Sequence, residues 1–187
     1  PSNVNVGSTN TYAITAIPGS IAYQAQSYKS SPYTRIDGAE DGLIYMDSTT
    51  YNNSFPIIAD APNVASGSHA FRLAHLAAYN TNIALKSEFL PTAQSSINFK
   101  ARVTWATTEQ IARVYVLGPN GFERLPWEMR GTGDQGDLNF TPVSISLANY
   151  AGKKIRIYFA YEMIVNHYEG AAPDQGFFFD DIQLENV

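Results

Sequence analysis

The sequence predicts an all-β fold, a two-sheet antiparallel β-sandwich of jelly-roll type with little helix. Several stretches alternate apolar and polar residues with a period of two, the pattern of strands that bury one face. No stretch combines a sustained 3.6-residue apolar period with a cap at its start, so helix is expected to be minor. With 187 residues and no cysteine, the chain can form one well-buried domain that is stabilised by its core and not by disulfides.

The N-terminal part carries the weakest strand signals. Alternation is irregular over residues 12–17 and 21–25, whereas residues 69–75 follow an Ala-Ser-Gly-Ser turn and are a clearer strand candidate. We interpret residues 1–187 as a single β-sandwich domain, in which residues 1–17 form an N-terminal strand or a linker.

The second half contains the clearest strands. Residues 97–105 alternate without a break and place Trp105 on the apolar face with Ile97, so Trp105 is expected more often in the core than at a binding site. A Gly-Pro-Asn-Gly turn then indicates a hairpin. The remaining alternating runs, also predicted as strands, are residues 112–116, 143–147 and 154–161.

The last predicted strand, residues 176–184, is strongly apolar but holds two adjacent carboxylates, Asp180 and Asp181. Neighbouring strand residues point to opposite faces, so one carboxylate is expected in solvent and the other in the interior or at a sheet rim. A buried carboxylate needs a bound cation, an arginine or several backbone N–H groups.

Composition excludes several partners. The formal charge of −5 provides no basic field for nucleic acid. No run approaches the ~20 apolar residues of a membrane helix, so no membrane insertion is expected. The chain begins at Pro1, from which we expect an excised piece of a longer protein with flanking domains.

Motifs for catalysis are missing from the sequence. Its histidines, at positions 69, 75 and 167, have no zinc-binding spacing, and there is no serine-hydrolase elbow, phosphate loop or dinucleotide fingerprint. Glu128, Glu162 and Glu169 are still able to meet in space as glycosidase carboxylates. A non-enzyme is favoured, and a small lyase or glycosidase remains an alternative.

Three segments together resemble a known superfamily. They are Gly-Ser-His-Ala-Phe-Arg-Leu at residues 67–73, the Tyr-Ala-Gly stretch and following strand at residues 147–159, and aromatic-Asp-Asp-Ile at residues 176–182. The chain resembles the jelly-roll superfamily of carbohydrate-binding modules and MAM-like extracellular domains. The cysteines of animal MAM domains are missing, which favours a bacterial relative at an extracellular or cell-surface location.

The resemblance implies a structural Ca²⁺. In such jelly rolls a last-strand carboxylate joins acidic ligands from the start of the domain. The matching acidic residues here are Asp37, Glu40, Asp41, Asp180 and Asp181. The oxygen-rich stretch at residues 37–42 suits calcium, although an ordinary solvated acidic turn explains it equally well.

Aromatic and planar polar side chains are the usual means of sugar recognition. Trp127 and Arg130 lie between a turn and a glycine-rich stretch, where we expect a loop. A second group, Tyr161, Glu162, His167 and Tyr168, precedes the last strand and either lines a ligand cleft or forms an ordinary connection. An outward basic set could serve an anionic polysaccharide, but a normal soluble surface is favoured; its members are Arg72, Lys100, Arg102, Arg113 and Arg156.

The sequence is therefore interpreted as a non-catalytic carbohydrate-binding module of a secreted, multidomain bacterial protein. It is expected to bind a polysaccharide or other glycan through aromatic and polar side chains. The alternative from another class is a MAM-like adhesion or protein-interaction domain.

Overall fold

The computed structural model describes residues 2–6, 10–14, 35–50, 57–75, 80–136, 138–164 and 172–187. The chain divides into two compact units, residues 1–33 and 34–187. In the first unit, strands β1 (Ser2–Val6) and β2 (Asn10–Ile14) pair antiparallel, with Val4 opposite Tyr12.

The second unit is built almost entirely from strands. They are β3 (Arg35–Asp37), β4 (Met46–Asp47), β5 (Ile58–Asp60), β6 (His69–Leu73), β7 (Thr81–Leu85), β8 (Ser96–Thr104), β9 (Gln110–Gly118), β10 (Gly121–Arg130), β11 (Thr141–Ser146), β12 (Arg156–Met163) and β13 (Gly176–Glu185). Two single 3₁₀ turns, Ser48–Thr50 and Ala148–Tyr150, are the helical elements of the described residues. Within that part of the chain, no helix has the length and apolarity to cross a membrane.

The strands form two antiparallel sheets that enclose one core. The five-stranded sheet has the order β10-β9-β12-β7-β4. The six-stranded sheet has the order β11-β8-β13-β6-β5, and its sixth strand, β3, pairs with the C-terminal half of β13. Phe159 of the first sheet stacks on Phe179 of the second with 4.3 Å between ring centroids. The predicted all-β, two-sheet jelly-roll sandwich is confirmed.

Strand β8 shows why the sequence folds in this way. Its inward residues are buried, whereas Asn98 and Lys100 on the alternate positions are partly exposed, as the period of two predicts. The prediction for Trp105 is wrong, because the strand ends at Thr104 and Trp105 has a φ of +49°, which turns its side chain away from the core face.

Candidate functional site

The outer face of the five-stranded sheet holds an open pocket of about 260 Å³. Register places Tyr158 of β12 between Tyr115 of β9 and Ala84 of β7, and places Ala160 next to Asn82. All of these residues occupy the strand positions that alternate with core residues such as Phe159. Because alanine is small, Ala160 forms a low floor between the larger side chains that line the pocket.

Aromatic rings form one wall of this pocket. Phe122 of β10 is 61% exposed, and its ring contacts Tyr158 edge to face with centroids 4.9 Å apart. On the other side, the guanidinium of Arg156 lies 5.7 Å from the Tyr158 ring centroid. A large apolar ring that is exposed beside a second aromatic ring is a common feature of ligand sites.

A network of charged hydrogen bonds fixes Glu162, the charged side chain that lines the pocket. Glu162 accepts a hydrogen bond from the Tyr115 hydroxyl at 2.5 Å and another from Arg113. Arg113 also donates to Glu128 at 3.0 Å, and Arg130 donates to Glu128 at 2.9 Å. Burial, followed by the hydrogen bond to Glu162, raises the pKa of Tyr115, whereas the donors from Arg113 and Arg130 lower the pKa of Glu128. These contacts hold the polar side chains in fixed orientations.

A second ion pair lies at the β4 edge of the same sheet. Arg156 donates to Asp47, at 2.5 Å, and to the Leu85 carbonyl, at 2.8 Å. The side-chain hydrogen bond from Arg156 is the main cause that lowers the pKa of Asp47 to about 2. Asp47 is therefore ionised at any physiological pH, and Arg156 is held against Tyr158.

The structure places the residues predicted to bind glycan in different environments. Glu162 lines the pocket, whereas Arg130 does not and is linked to Glu162 only through Glu128 and Arg113. Tyr161 does not face a ligand cleft: it is fully buried and stacks on His75 at 4.3 Å. Burial raises the pKa of the Tyr161 hydroxyl. His167 and Tyr168 lie outside the described residues.

The predicted loop position of Trp127 is also wrong. Trp127 lies in strand β10, and its ring packs against the core, 5.1 Å from the ring centroid of Phe99. A shift of register between Arg124 and Glu128 turns this part of the strand so that Trp127 faces inward. Trp127 is accordingly not part of the pocket.

Sequence reasoning missed the aromatic side chains of the pocket. Tyr115 and Tyr158 occupy the outward positions of strands that were predicted, in places where soluble surfaces usually carry polar side chains. Outward tyrosines on neighbouring strands were the available signal. Phe122 follows the hairpin turn, and nothing in its sequence context indicates which face it occupies.

The two adjacent carboxylates of the last strand both reach Ser66. Asp180 is fully buried and accepts hydrogen bonds from the N–H groups of Ala65 and Ser66, while Asp181 accepts one from the Ser66 hydroxyl. As predicted, one carboxylate is buried and the other is partly exposed, but both lie toward Ser66, because β13 has an irregular register between Asp180 and Gln183 and Asp181 has a φ of +51°. Asp181 also pairs with Lys100 at 2.8 Å.

The other predicted metal ligands lie near this strand or on the surface. Glu40 accepts hydrogen bonds from the N–H groups of Ser68 and His69, both at 2.8 Å. Asp41 is exposed, and the backbone of Asp37 pairs with Ile182, although the Asp37 side chain lies outside the described residues. Among the side chains that are described, no group of three or more histidine or acidic residues is placed to hold a metal ion.

No family model and no curated protein matches this sequence. Among solved structures, the xylan-binding domain CBM22-1 from Paenibacillus barcinonensis Xyn10C is 10% identical, with a TM-score of 0.53, 84% of this chain covered and 98% of that chain covered. Its xylan-binding neighbour CBM22-2 is 12% identical, with a TM-score of 0.51 and coverage of 83% and 99%. A family 16 carbohydrate-binding module is 16% identical, with a TM-score of 0.51 and coverage of 79% and 94%.

The chain has the fold of jelly-roll carbohydrate-binding modules. At these identities the similarity concerns the fold, and function depends on the residues of the site. The MAM-like part of the resemblance stays a prediction.

Proposed function

We propose that this domain is a non-catalytic carbohydrate-binding module that binds a polysaccharide on the outer face of its five-stranded sheet. The observation that carries the proposal is the pocket in which the exposed Phe122 and Tyr158 rings lie beside the anchored carboxylate of Glu162. The fold, shared with modules that are named for carbohydrate binding, agrees with this chemistry.

The pocket offers both kinds of contact that a sugar ring needs. The C–H face of a pyranose is apolar and packs against aromatic rings, whereas its hydroxyl groups need donors and acceptors. Phe122 and Tyr158 provide the aromatic surface, while Asn82 and Glu162 provide polar groups at the same pocket. Because the pocket is open, it suits a chain that continues past it at both ends.

The Glu128 carboxylate is poorly suited to act as the acid of a glycosidase. A glycosidase needs one carboxyl group with a raised pKa to protonate the leaving group. Arg113 holds both Glu128 and Glu162, and its hydrogen bond is the main cause that lowers the pKa of Glu128. A lowered pKa disfavours the protonated form, so Glu128 does not supply the acid, which supports a binding role.

We also propose that the domain is secreted and attached to other domains, as its fold relatives suggest. An export signal and further domains in the full-length gene product are the expected findings, and a cytoplasmic single-domain product would contradict them. No observation on this structure favours the MAM-like alternative.

The test is a binding assay of the isolated 187-residue chain against soluble polysaccharides. Two of the similar structures are named as xylan-binding domains, so xylan is the first probe, together with galactan, mannan, β-glucan and an acidic pectin. Tyr158→Ala and Phe122→Ala are expected to weaken binding at least about tenfold, a change equivalent to 1.4 kcal/mol.

A matched control is Leu90→Ala. Leu90 is as exposed as Phe122, at 60% against 61%, but does not line the pocket, so this variant should bind as the parent does. The proposal is wrong if the folded parent binds none of the polysaccharides, or if Leu90→Ala and Phe122→Ala weaken binding equally.

Calcium is a separate proposal. We propose that Ca²⁺ binds beside Asp180 and Asp181, with Asp37, Glu40 and Asp41 as the further acidic residues of the site. The support is chemical. All the acidic side chains would coordinate the ion through oxygen atoms, which calcium prefers. The described hydrogen-bond partners of the fully buried Asp180 carboxylate are N–H groups. Against this, Lys100 already pairs with Asp181.

Thermal unfolding with Ca²⁺ and with a chelator tests this proposal without any ligand. Calcium is expected to raise Tm, because an ion that binds only the folded state stabilises that state. The Asp180→Asn variant is expected to gain less from calcium than the parent does. Asp60→Asn, on the exposed end of β5, is the control acidic variant. Equal Tm values for the parent under both conditions would rule the ion out.

A further inference from the structure

A second pocket, of about 290 Å³, lies on the opposite side of the sandwich. It opens at the end of β8, where Arg102 and Thr104 occupy outward positions of the six-stranded sheet. The loops that complete it contribute Asn63, Trp105 and Asp174. None of these residues belongs to the pocket on the five-stranded sheet.

Arg102 is a buried cation with spare hydrogen-bonding capacity at this pocket. The residue is 5% exposed, and its guanidinium carbon lies over the Phe178 ring, 4.8 Å from the centroid. Its two terminal nitrogens donate to neutral acceptors, the Leu138 carbonyl and the Asn63 side-chain oxygen. Its Nε–H is buried and has no partner among the described residues. An unsatisfied buried donor costs about 1–3 kcal/mol, so an acceptor from outside would be favoured there.

Trp105 adds an aromatic surface that is held in a strained conformation. Its φ of +49° lies in the left-handed region, which costs a bulky residue on the order of 1–3 kcal/mol. The indole N–H donates to Asp174 at 2.8 Å, and the backbone N–H donates to the Gln135 carbonyl at 3.3 Å. Thr104 donates to the Asp174 carbonyl and fixes the same loop. The ring is therefore pinned at the pocket and not packed into the core.

We infer that this pocket is a second ligand site, which takes a neutral polyhydroxylated ligand such as a single sugar unit at a chain end. A hydroxyl group both accepts and donates, so one ligand can donate to the exposed Asp174 carboxylate and, once a small shift of the Arg102 side chain uncovers its buried Nε–H, accept a hydrogen bond from that group. The indole ring of Trp105 suits an apolar C–H face. An anionic ligand fits less well because the exposed Asp174 carboxylate lies at the same pocket.

The two pockets lie on opposite faces of the sandwich. One lies outside the five-stranded sheet and the other outside the six-stranded sheet of the same unit. Two sites on opposite sides cannot both be filled by one short oligosaccharide. The domain would then bind two chains, or two parts of one long chain, and gain avidity on a polymer.

The experiment uses a background in which the first site is disabled, Phe122→Ala with Tyr158→Ala, in the full 187-residue chain. Xylotriose, cellotriose, galactotriose and mannotriose are titrated while the two indole N–H resonances of Trp105 and Trp127 are followed by NMR. The Trp105 resonance should shift and saturate, while that of the core residue Trp127 stays in place. Glucuronic acid should give a weaker response than glucose.

Trp105→Gly is the decisive variant in that background. Glycine tolerates the positive φ, so the fold should be retained while the aromatic surface is lost. Affinity measured by calorimetry should fall roughly threefold to tenfold, the effect of one aromatic contact. Leu90→Ala in the same background should leave it unchanged.

The outcomes separate the second site from the proposed function. Saturable binding that survives the Phe122/Tyr158 double variant and is weakened at least about threefold by Trp105→Gly supports the second site. Binding that the double variant abolishes leaves the first site standing and overturns the second. A Trp105 resonance that moves with none of the four trisaccharides also overturns it, whatever the polysaccharide assay shows.

Discussion

Replacing Arg113 with methionine tests whether the charged network on the five-stranded sheet is a real part of the architecture. Arg113 lies between Glu162 and Glu128 and is the common donor to both. Methionine has a similar length and no charge. In the Arg113→Met variant the two carboxylates keep their positions in adjacent strands but lose the cation between them.

The expected cost follows from the exposure of each partner. The side chains of Arg113 and Glu162 are 14% and 18% exposed, so their charge-assisted hydrogen bond should contribute about 1.5–3 kcal/mol. Glu128 is 33% exposed, so solvent screens its pair with Arg113, which adds little to the total. The expected cost is therefore about 1.5–3 kcal/mol, or a fall in Tm of about 3–12 °C for a domain of this size.

Urea unfolding of four proteins measures this cost: the parent, Arg113→Met, Glu162→Gln and the double variant. Glutamine at position 162 still accepts from the Tyr115 hydroxyl but carries no charge, so the double variant should recover at least half of the loss from Arg113→Met. Arg113→Lys keeps the positive charge but not the forked hydrogen-bond donors of the guanidinium, so its free energy of unfolding should lie between those of the parent and Arg113→Met. The reasoning is refuted if Arg113→Met lowers the free energy of unfolding by less than about 0.5 kcal/mol. It is also refuted if the loss in the double variant equals the sum of the losses in the two single variants.

Three further predictions concern other parts of the molecule. Tyr161→Phe removes a buried hydroxyl without a described partner and should leave stability unchanged or raise it by about 1 kcal/mol in urea unfolding, with glycan binding unaffected; a tenfold loss of binding would show that Tyr161 does face a ligand. Gly176→Ala should lower stability by about 2 kcal/mol or more, because φ is +120° and the new Cβ would lie 2.3 Å from the Leu73 carbonyl oxygen; Gly152→Ala, with a φ of +71° and open space, is the milder control. The depressed pKa of Asp47 contributes stability that is present above the usual aspartate pKa of 3.8 and is lost as pH falls toward about 2. Thermal unfolding of Asp47→Asn should show a smaller loss over that range, and a pH profile of Tm that matches the parent's would contradict the assignment.

Strands with an unbroken period of two could be predicted from the sequence, and so could the sandwich that they form. Strand β12 is an example: Ile157, Phe159 and Tyr161 face the core while Tyr158 and Glu162 face out. The same alternation places Tyr161 inside, so the prediction of Tyr161 as a ligand-site residue is wrong. The short strand β7, Thr81–Leu85, had no such pattern and was not predicted.

Local breaks in the alternation could not be predicted, and they decide the chemistry. The register shift in β10 turns Trp127 inward, the irregularity in β13 brings Asp180 and Asp181 to one side, and a single positive φ turns Trp105 outward. Each break depends on contacts with residues far away in the chain, such as Ser66 for the two carboxylates and Asp174 for the indole. Such contacts cannot be predicted from composition or from the spacing of residues in the sequence.

The arrangement of the face suits the proposed binding of a flexible chain at the open pocket. Association loses free energy through the ordering of side chains, about 0.5–1.5 kcal/mol for each long one that becomes fixed. On this sheet Arg113, Glu162 and Arg156 are already held by protein partners, and the strands beneath them pack on stacked phenylalanine rings. Little ordering therefore remains for the ligand to impose, apart from the exposed ring of Phe122. Modest aromatic contacts should then suffice for binding, and the backbone of the five-stranded sheet should be the same with and without the sugar.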